Sequence, residues 1–319
     1  MQPWPLLEGD PRAVLAPTVF EALRRAVTSV RVAAPSSELE LVRLRVAMLL
    51  DDAAESAAPA WGEVTEAQRG QLADWPTSDA FSAADRAALA LAEQFTIDVT
   101  GVAAGPLGAA AGAFGASTLP LVQGVFLIDL GQRCAKVLGA LFGGTVTSAE
   151  WAAPIDGAPA DPMEAISALL RATARLQNLD PVLRELVRMR GAHHHRCRRC
   201  QSVRSVAAIE AGADEDLLAR TIPGAEKGLD PQARAALALT DALLVGRADL
   251  DADLIAEVHR RFVDADAVEL ICYVMRNSAN KIAVAFGADA AIVDEGFEYQ
   301  MIDAEGETIT VAAPPPRGR

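Results

Sequence analysis

The sequence predicts an all-α protein built from two tandem helical bundles, and three observations carry that prediction. The apolar residues, 51% of the 319, are mostly alanine, leucine and valine, while aromatics make up only 5%. That composition favours helices over sandwiches or barrels. Helix starts are clearly punctuated. Thr65 with Gln68 and Ser82 with Asp85 have capping-box spacing. Asp180-Pro181 and Asp230-Pro231 place a capping carboxylate just before a proline at the first helical position. The chain also repeats itself. The hexapeptide ELVRLR at 40–45 returns as ELVRMR at 185–190, and RAALAL at 86–91 returns unchanged at 234–239. Phe114 maps onto Phe262 at the second offset, and Gln132-Arg133 onto Asn280-Lys281. Collinear matches with so little drift point to a duplicated unit.

The elements follow in order. Residues 1–10 carry Glu and Pro in place of a basic segment followed by an apolar run, so no export signal is expected. Residues 1–150 read as an N-terminal helical repeat without a cysteine pair, and 151–319 as a C-terminal repeat that carries one. The boundary falls at 148–162, where Pro154, Gly157, Pro159 and Pro162 cluster. Residues 102–128 hold no charge, but Gly105, Pro106, Gly108, Gly112, Gly115 and Pro120 interrupt them. They read as two buried, tightly packed helices and not as a membrane span. Leu183, Leu186, Val187 and Met189 fit an apolar stripe at helical spacing. Strand signals are nearly absent until 297–311, which suits a short hairpin around Glu305-Gly306; residues 314–319 read as a loose tail.

A net charge of −14 argues against a nucleic-acid surface. Four cysteines are too few for a disulfide scaffold. The expected location is the cytoplasm, with thiols reduced at rest and no membrane partner.

Chemistry concentrates in residues 185–204, ELVRMRGAHHHRCRRCQSVR. Cys197 and Cys200, three apart, share one helix face and can close a disulfide at its first turn. In a cytoplasmic protein this spacing signals redox or metal chemistry. Arg184, Arg188, Arg190, Arg196, Arg198, Arg199 and Arg204 crowd the same segment. Cationic neighbours and a helix N-terminus both favour thiolate over thiol. Gly191 reads as the end of one helix, which puts Cys197 near the start of the next. Arg204 is expected one turn beyond Cys200 on the same face. Glu185, on the preceding helix, either folds back as a proton acceptor or pairs with an arginine. Cys134 and Cys272 read as small buried hydrophobes. His193, His195, Cys197 and Cys200 make a chemically complete zinc set. Their spacing is tight and the arginines oppose a dication, so neither metal nor cofactor is expected. The histidine run reads as a solvated helix end or a helper in the site.

Glu185, Cys197 twelve residues later and Cys200 three further on resemble the alkylhydroperoxidase D-like / carboxymuconolactone decarboxylase family. The SVAAIEAG segment at 205–212 and the downstream RAALAL add to the likeness, which covers 163–290 well and 36–145 more weakly. The resemblance implies an all-α fold with duplicated versions, and a homo-oligomer with helices packed across subunits. It implies a peroxiredoxin-type antioxidant activity in which the cysteine pair reduces a hydroperoxide and an external thiol or dithiol restores it. A glutamate and histidines relay protons in the redox members. Here the histidine before the second cysteine and the one four residues after it are replaced by Arg199 and Arg204. Arginine is no base at neutral pH, though it can stabilise a thiolate or bind an anion. His195 or His194 is then the expected proton carrier. The resemblance favours Cys200 as the attacking sulfur, whereas position along the helix favours Cys197 for the lower pKa. The catalytic set is therefore Cys200, Cys197, Glu185, Arg204 and His195. In the first half, Asp52 and Glu55 stand where Cys197 and Cys200 stand in the second. Two other readings compete. One is a cofactor-free lyase or isomerase, decarboxylase-like, acting on a carboxylated small molecule. The other is a noncatalytic helical scaffold with a structural zinc.

Overall fold

A computed structural model describes residues 16–144, 147 and 155–311. In chain order the helices are α1 (Pro17–Ala33), α2 (Ser36–Leu49), α3 (Ala53–Ala57), α4 (Glu66–Gly70), α5 (Ala83–Ile97), α6 (Pro106–Phe114), α7 (Thr118–Phe142) and α8 (Pro162–Ala174). They continue with α9 (Pro181–His194), α10 (Arg198–Ser202), α11 (Val206–Glu210), α12 (Glu215–Ala219), α13 (Pro231–Leu244), α14 (Ala252–Arg261), α15 (Asp264–Ser278) and α16 (Asn280–Ala285). The fold is all-α with a small sheet at one side, as the composition predicts.

The caps behave as the sequence indicates. Asp180 accepts from the N–H groups of Val182 and Leu183, and Asp230 from that of Ala233, each just before a proline in the first turn. Both capping boxes are complete, at Thr65/Gln68 and Ser82/Asp85. These bonds satisfy orphan donors at each N-terminus.

Packing centres on α7, whose sequence is apolar almost all round and which is buried along most of its length. It lies against α1, α2, α5, α13, α15 and α16. The same pairings recur between the halves: α2 packs on α5 and α7, and α9 on α13 and α15. Across the middle α1 packs on α8. The main apolar cluster therefore draws on both halves. A smaller one, Leu41, Leu44, Leu72, Trp75, Phe81 and Leu89, sits under the loop after α3.

The uncharged stretch 102–128 differs from its expectation in one respect. Its α7 portion is core, but α6 lies at the surface with only Ala110 buried. Glycine and alanine side chains give α6 little apolar area to bury. Pro106–Phe142 is long and apolar enough to cross a membrane by length and composition, and half of its apolar window is buried within the protein.

The hairpin forms where expected. β2 (Glu298–Ile302) pairs antiparallel with β3 (Thr308–Val311). Gly306 turns it at φ 87°, where a Cβ would meet the Arg171 carbonyl oxygen. An additional strand, β1 (Val203–Ser205), pairs parallel with β2, with Arg204 opposite Tyr299. Three residues are too few to show a period-two pattern. The expectations for residues 1–10, 148–154 and 314–319 fall outside the described residues.

Candidate active site

The cysteine pair is built by a turn that the chain makes twice. α9 runs past Gly191 to His194, so the helix ends later than the glycine suggests. Arg196 then takes φ 49°, the Cys197 N–H returns to the Ala192 carbonyl at 3.1 Å, and Cys197 caps α10. Its Sγ accepts the Cys200 N–H at 3.2 Å. In the first half Asp51 takes φ 54°, the Asp52 N–H returns to Ala47 at 2.8 Å, and Asp52 Oδ1 accepts the Glu55 N–H at 3.0 Å. Cys197 and Cys200 are joined in a disulfide. Cys197 is 1% exposed and Cys200 8%, and neither lines a described cleft.

Beneath the pair lies a buried ion pair. Arg188 donates from Nε to Glu185 Oε2 and from Nη2 to Glu185 Oε1, both at 2.7 Å. It also donates from Nη1 to the Cys200 carbonyl and from Nη2 to the Val203 carbonyl, again at 2.7 Å. Burial works against the Arg188 charge, but the Glu185 carboxylate outweighs it and the guanidinium pKa is raised. Glu185 Oε1 also accepts the Ser205 N–H at 3.0 Å. Of the two roles open to Glu185, the structure shows the arginine-paired one. The first half holds the same device. Arg43 donates to both Glu40 oxygens at 2.9 Å and to the Glu55 carbonyl at 2.5 Å.

Arg204 is not one turn along the cysteine helix, because α10 ends at Ser202 and the chain extends into β1. Its guanidinium stacks 3.7 Å over the Phe297 ring and binds Glu215 through Nε and Nη2 at 2.7 and 2.8 Å. It still reaches the site by donating to the Gln201 and Val203 carbonyls. The remaining arginines are also engaged. Arg184 donates to the Leu176 carbonyl, Arg190 pairs with Asp241 and Glu226, and Arg196 lies 3.6 Å from Asp98. Arg198 pairs with Asp289 at 2.7 Å, and Arg199 lies 3.6 Å from Glu298. Acidic residues distant in sequence thus answer much of the positive charge that the segment shows alone. Asp289 further accepts the Arg198 N–H at 2.9 Å, and its carbonyl accepts the Arg199 N–H, clamping the start of α10. Hydrogen bonds with Arg198 dominate over burial and hold the Asp289 carboxyl below its ordinary range.

His195 goes elsewhere. It is buried and lines a cleft of about 420 Å³ between the two halves, together with His194, Arg133 and Lys281. Burial, then the charge of Lys281, pushes its pKa well below 6.5, so the ring is neutral near pH 7. Cys134 and Cys272 are free and buried, as expected. Burial pushes the Cys272 thiol up to about 12 and that of Cys134 well above its ordinary value, which leaves both inert. Among the described residues no three of His, Cys, Asp and Glu converge on one point.

Sequence reasoning missed the roles of Arg188, Asp289, Glu215 and Phe297. The Arg188 signal was present, since Glu-x-x-Arg opens both copies of the repeated hexapeptide. The other three come from segments with no local mark.

Fold and site together define a class: helical proteins whose CxxC pair caps a short helix above a buried glutamate–arginine pair. The chain belongs to the carboxymuconolactone decarboxylase family, whose model matches residues 160–242. Two relatives from strains of Mycobacterium tuberculosis, both described only as uncharacterized proteins, are each 37% identical to it over 232 residues. The match covers 72% of this chain and 81% of each relative. No solved structure matches the chain.

Proposed function

We propose that this protein is a thiol-dependent, peroxidase-like oxidoreductase of the cytoplasm, working as a homo-oligomer. The observation that carries the reading is the disulfide between Cys197 and Cys200. In the reduced enzyme the Cys200 thiolate attacks one peroxide oxygen and the O–O bond breaks. Cys200 becomes a sulfenic acid, and the other oxygen leaves as an alkoxide that takes a proton to become an alcohol. The Cys197 thiol then attacks the sulfenic sulfur, forming the disulfide and releasing water. An external dithiol reduces the disulfide by exchange and is itself oxidised to a disulfide.

The residues divide this work. Cys200 is the more exposed of the pair, which suits it to meet the peroxide. Cys197 Sγ accepts a backbone N–H, a contact that favours its thiolate for the resolving step. Glu185 is a positioning residue: through Arg188 it holds the Cys200 carbonyl in place. Arg204 secures the far end of α10 through the Gln201 carbonyl. His195 lines the cleft between the halves, which neither cysteine lines, and takes no part in these steps. Because both cysteines are buried, turnover requires the start of α10 to lift from Asp289. The two-half organisation belongs to the same reading, with 1–150 supporting and 151–319 carrying the redox pair.

The test is a thiol count by mass spectrometry before and after cumene hydroperoxide, with peroxide consumption followed in a dithiol-coupled assay. The wild type loses two thiols and turns over, and Cys200→Ser does neither. Peroxide consumption that persists in Cys200→Ser overturns the reading. A lyase on a carboxylated substrate would retain its activity in that variant.

A further inference from the structure

The cleft between the halves has a composition of its own. Equivalent positions of the two halves form its walls: Leu50 with His195, Thr96 with Leu244, and Arg133 with Lys281. Its volume of about 420 Å³ falls within the range of small-molecule sites.

Arg133 and Lys281 line the cleft and Asp129 bonds to both; all three ionisable side chains are more than nine-tenths buried. Asp129 Oδ1 accepts from Arg133 Nε at 2.7 Å, and Oδ2 accepts from Lys281 Nζ at 2.6 Å. One carboxylate thus serves two cations. With the Asp129 bond, donations to the Leu243, Gly246 and Thr96 carbonyls use four of the five Arg133 N–H groups. Lys281 has three N–H donors. Among the described residues one goes to Asp129, and the ammonium also lies 4.5 Å from the centre of the Phe95 ring. Of the other charged residues lining the cleft, Arg196 lies 3.6 Å from Asp98, whose charge also acts on Lys281, and Arg247 pairs with Asp51. His194 is held by Asp241, and neutral His195 adds no charge. The buried triad itself carries one net positive charge, answered only in part by Asp98, which lines the cleft and also faces Arg196. A buried excess charge is costly until a counter-charge reaches it. Phe95, Leu49, Leu244 and Val245 supply apolar wall around that charge.

We infer that the cleft between the halves is a binding site for a small organic carboxylate, with Lys281 Nζ receiving the carboxylate and the Phe95 side of the cleft receiving its apolar part. Binding brings the triad to neutrality and supplies acceptors for the remaining ammonium N–H groups. The site is separate from the disulfide, since neither cysteine lines it. It does not depend on the peroxidase reading.

Titration calorimetry on the full chain tests this with benzoate and hexanoate as probes and benzyl alcohol and hexan-1-ol as neutral counterparts. Sodium chloride at matched ionic strength serves as the control. The carboxylates bind at least tenfold more tightly than the alcohols. Lys281→Gln, which leaves Asp129 and Arg133 as a balanced pair, weakens carboxylate binding at least tenfold. Val245→Trp, at a half-exposed wall position outside the core, blocks it by filling the cleft. Cys200→Ser binds as the wild type does, which separates this site from peroxide turnover. If Lys281→Gln fails to fold, Val245→Trp alone decides. Alcohols binding as tightly as carboxylates, either cleft variant binding unchanged, or no heat with any probe overturns the inference.

Discussion

Replacing Arg188 with methionine removes the side chain that joins the glutamate helix to the cysteine turn. The loss can be sized from its partners. Two hydrogen bonds to Glu185 and two to the carbonyls of Cys200 and Val203 disappear together. Glu185, 2% exposed, is left as a buried carboxylate without its cation. Breaking one side of a buried pair costs about 3–5 kcal/mol. Orphaned carbonyls add to that, although neighbouring effects are not additive. A loss of about 4 kcal/mol is expected, a large share of the roughly 5–15 kcal/mol that holds a domain folded. With a urea slope of about 3 kcal/mol/M, the midpoint falls by more than about 1 M. Glu185→Gln combined with Arg188→Met removes the stranded charge and recovers at least about 1 kcal/mol of the loss. Circular dichroism during urea titration of all three proteins reads the result. A single-variant loss below about 1 kcal/mol, or no recovery in the double variant, refutes the view that this pair holds the site together.

Two further predictions follow. His195 has a folded pKa depressed below its unfolded value of 6.5, so below that pH the unfolded chain binds the extra proton first. Stability should therefore fall between pH 7 and 5, by at most about 1.4 kcal/mol per pH unit for this one group. Burial also depresses His193, in the same direction. His195→Asn should flatten the curve, and parallel curves for the two proteins would contradict the assignment. Asp289→Asn weakens the clamp on α10 by removing charge-assisted bonds worth about 1.5–3 kcal/mol each. Reduction of the disulfide by a phosphine should become about tenfold faster or more, whereas an unchanged rate would show that opening at Asp289 does not limit access.

What the sequence revealed and what it hid have different physical origins. Helix starts were readable because a cap acts within four residues: Asp180, Asp230, Thr65 and Ser82 all cap as their spacing indicates. The cysteine pair was readable for the same reason, since its bond closes within one helical turn. The electrostatics were not. Seven arginines in a short segment look like a strongly positive field, but Glu215 answers from the next helices and Asp241, Asp289 and Glu298 from much farther along the chain. The fate of Arg204 turned on β1, whose three residues pair only because β2 arrives from almost a hundred residues away. His195 was grouped with the cysteines by proximity in sequence, yet the left-handed turn at Arg196 separates the two.

The repeated turn allows structural and chemical roles to be told apart. Glu40–Arg43 makes the same bidentate pair as Glu185–Arg188, although no cysteine stands above it. A device present without the sulfurs is holding the turn, not serving their chemistry, and this is why Glu185 is found paired and not free. The chemistry then resides in what the turn presents, which makes the first half a test bed. Asp52 and Glu55 already sit in the capping geometry of Cys197 and Cys200, with Asp51 and Arg196 in the same left-handed conformation. Replacing Glu55 still leaves Arg43 its bidentate partner Glu40, as Arg188 has Glu185, although Glu40 is shared with Arg69. The variant Asp52→Cys/Glu55→Cys should therefore close a second disulfide, read by mass spectrometry as two further thiols lost on mild oxidation. If both new thiols stay free while Cys197 and Cys200 close, the two turns are not equivalent frames, and the bond in the second half depends on something specific to that half.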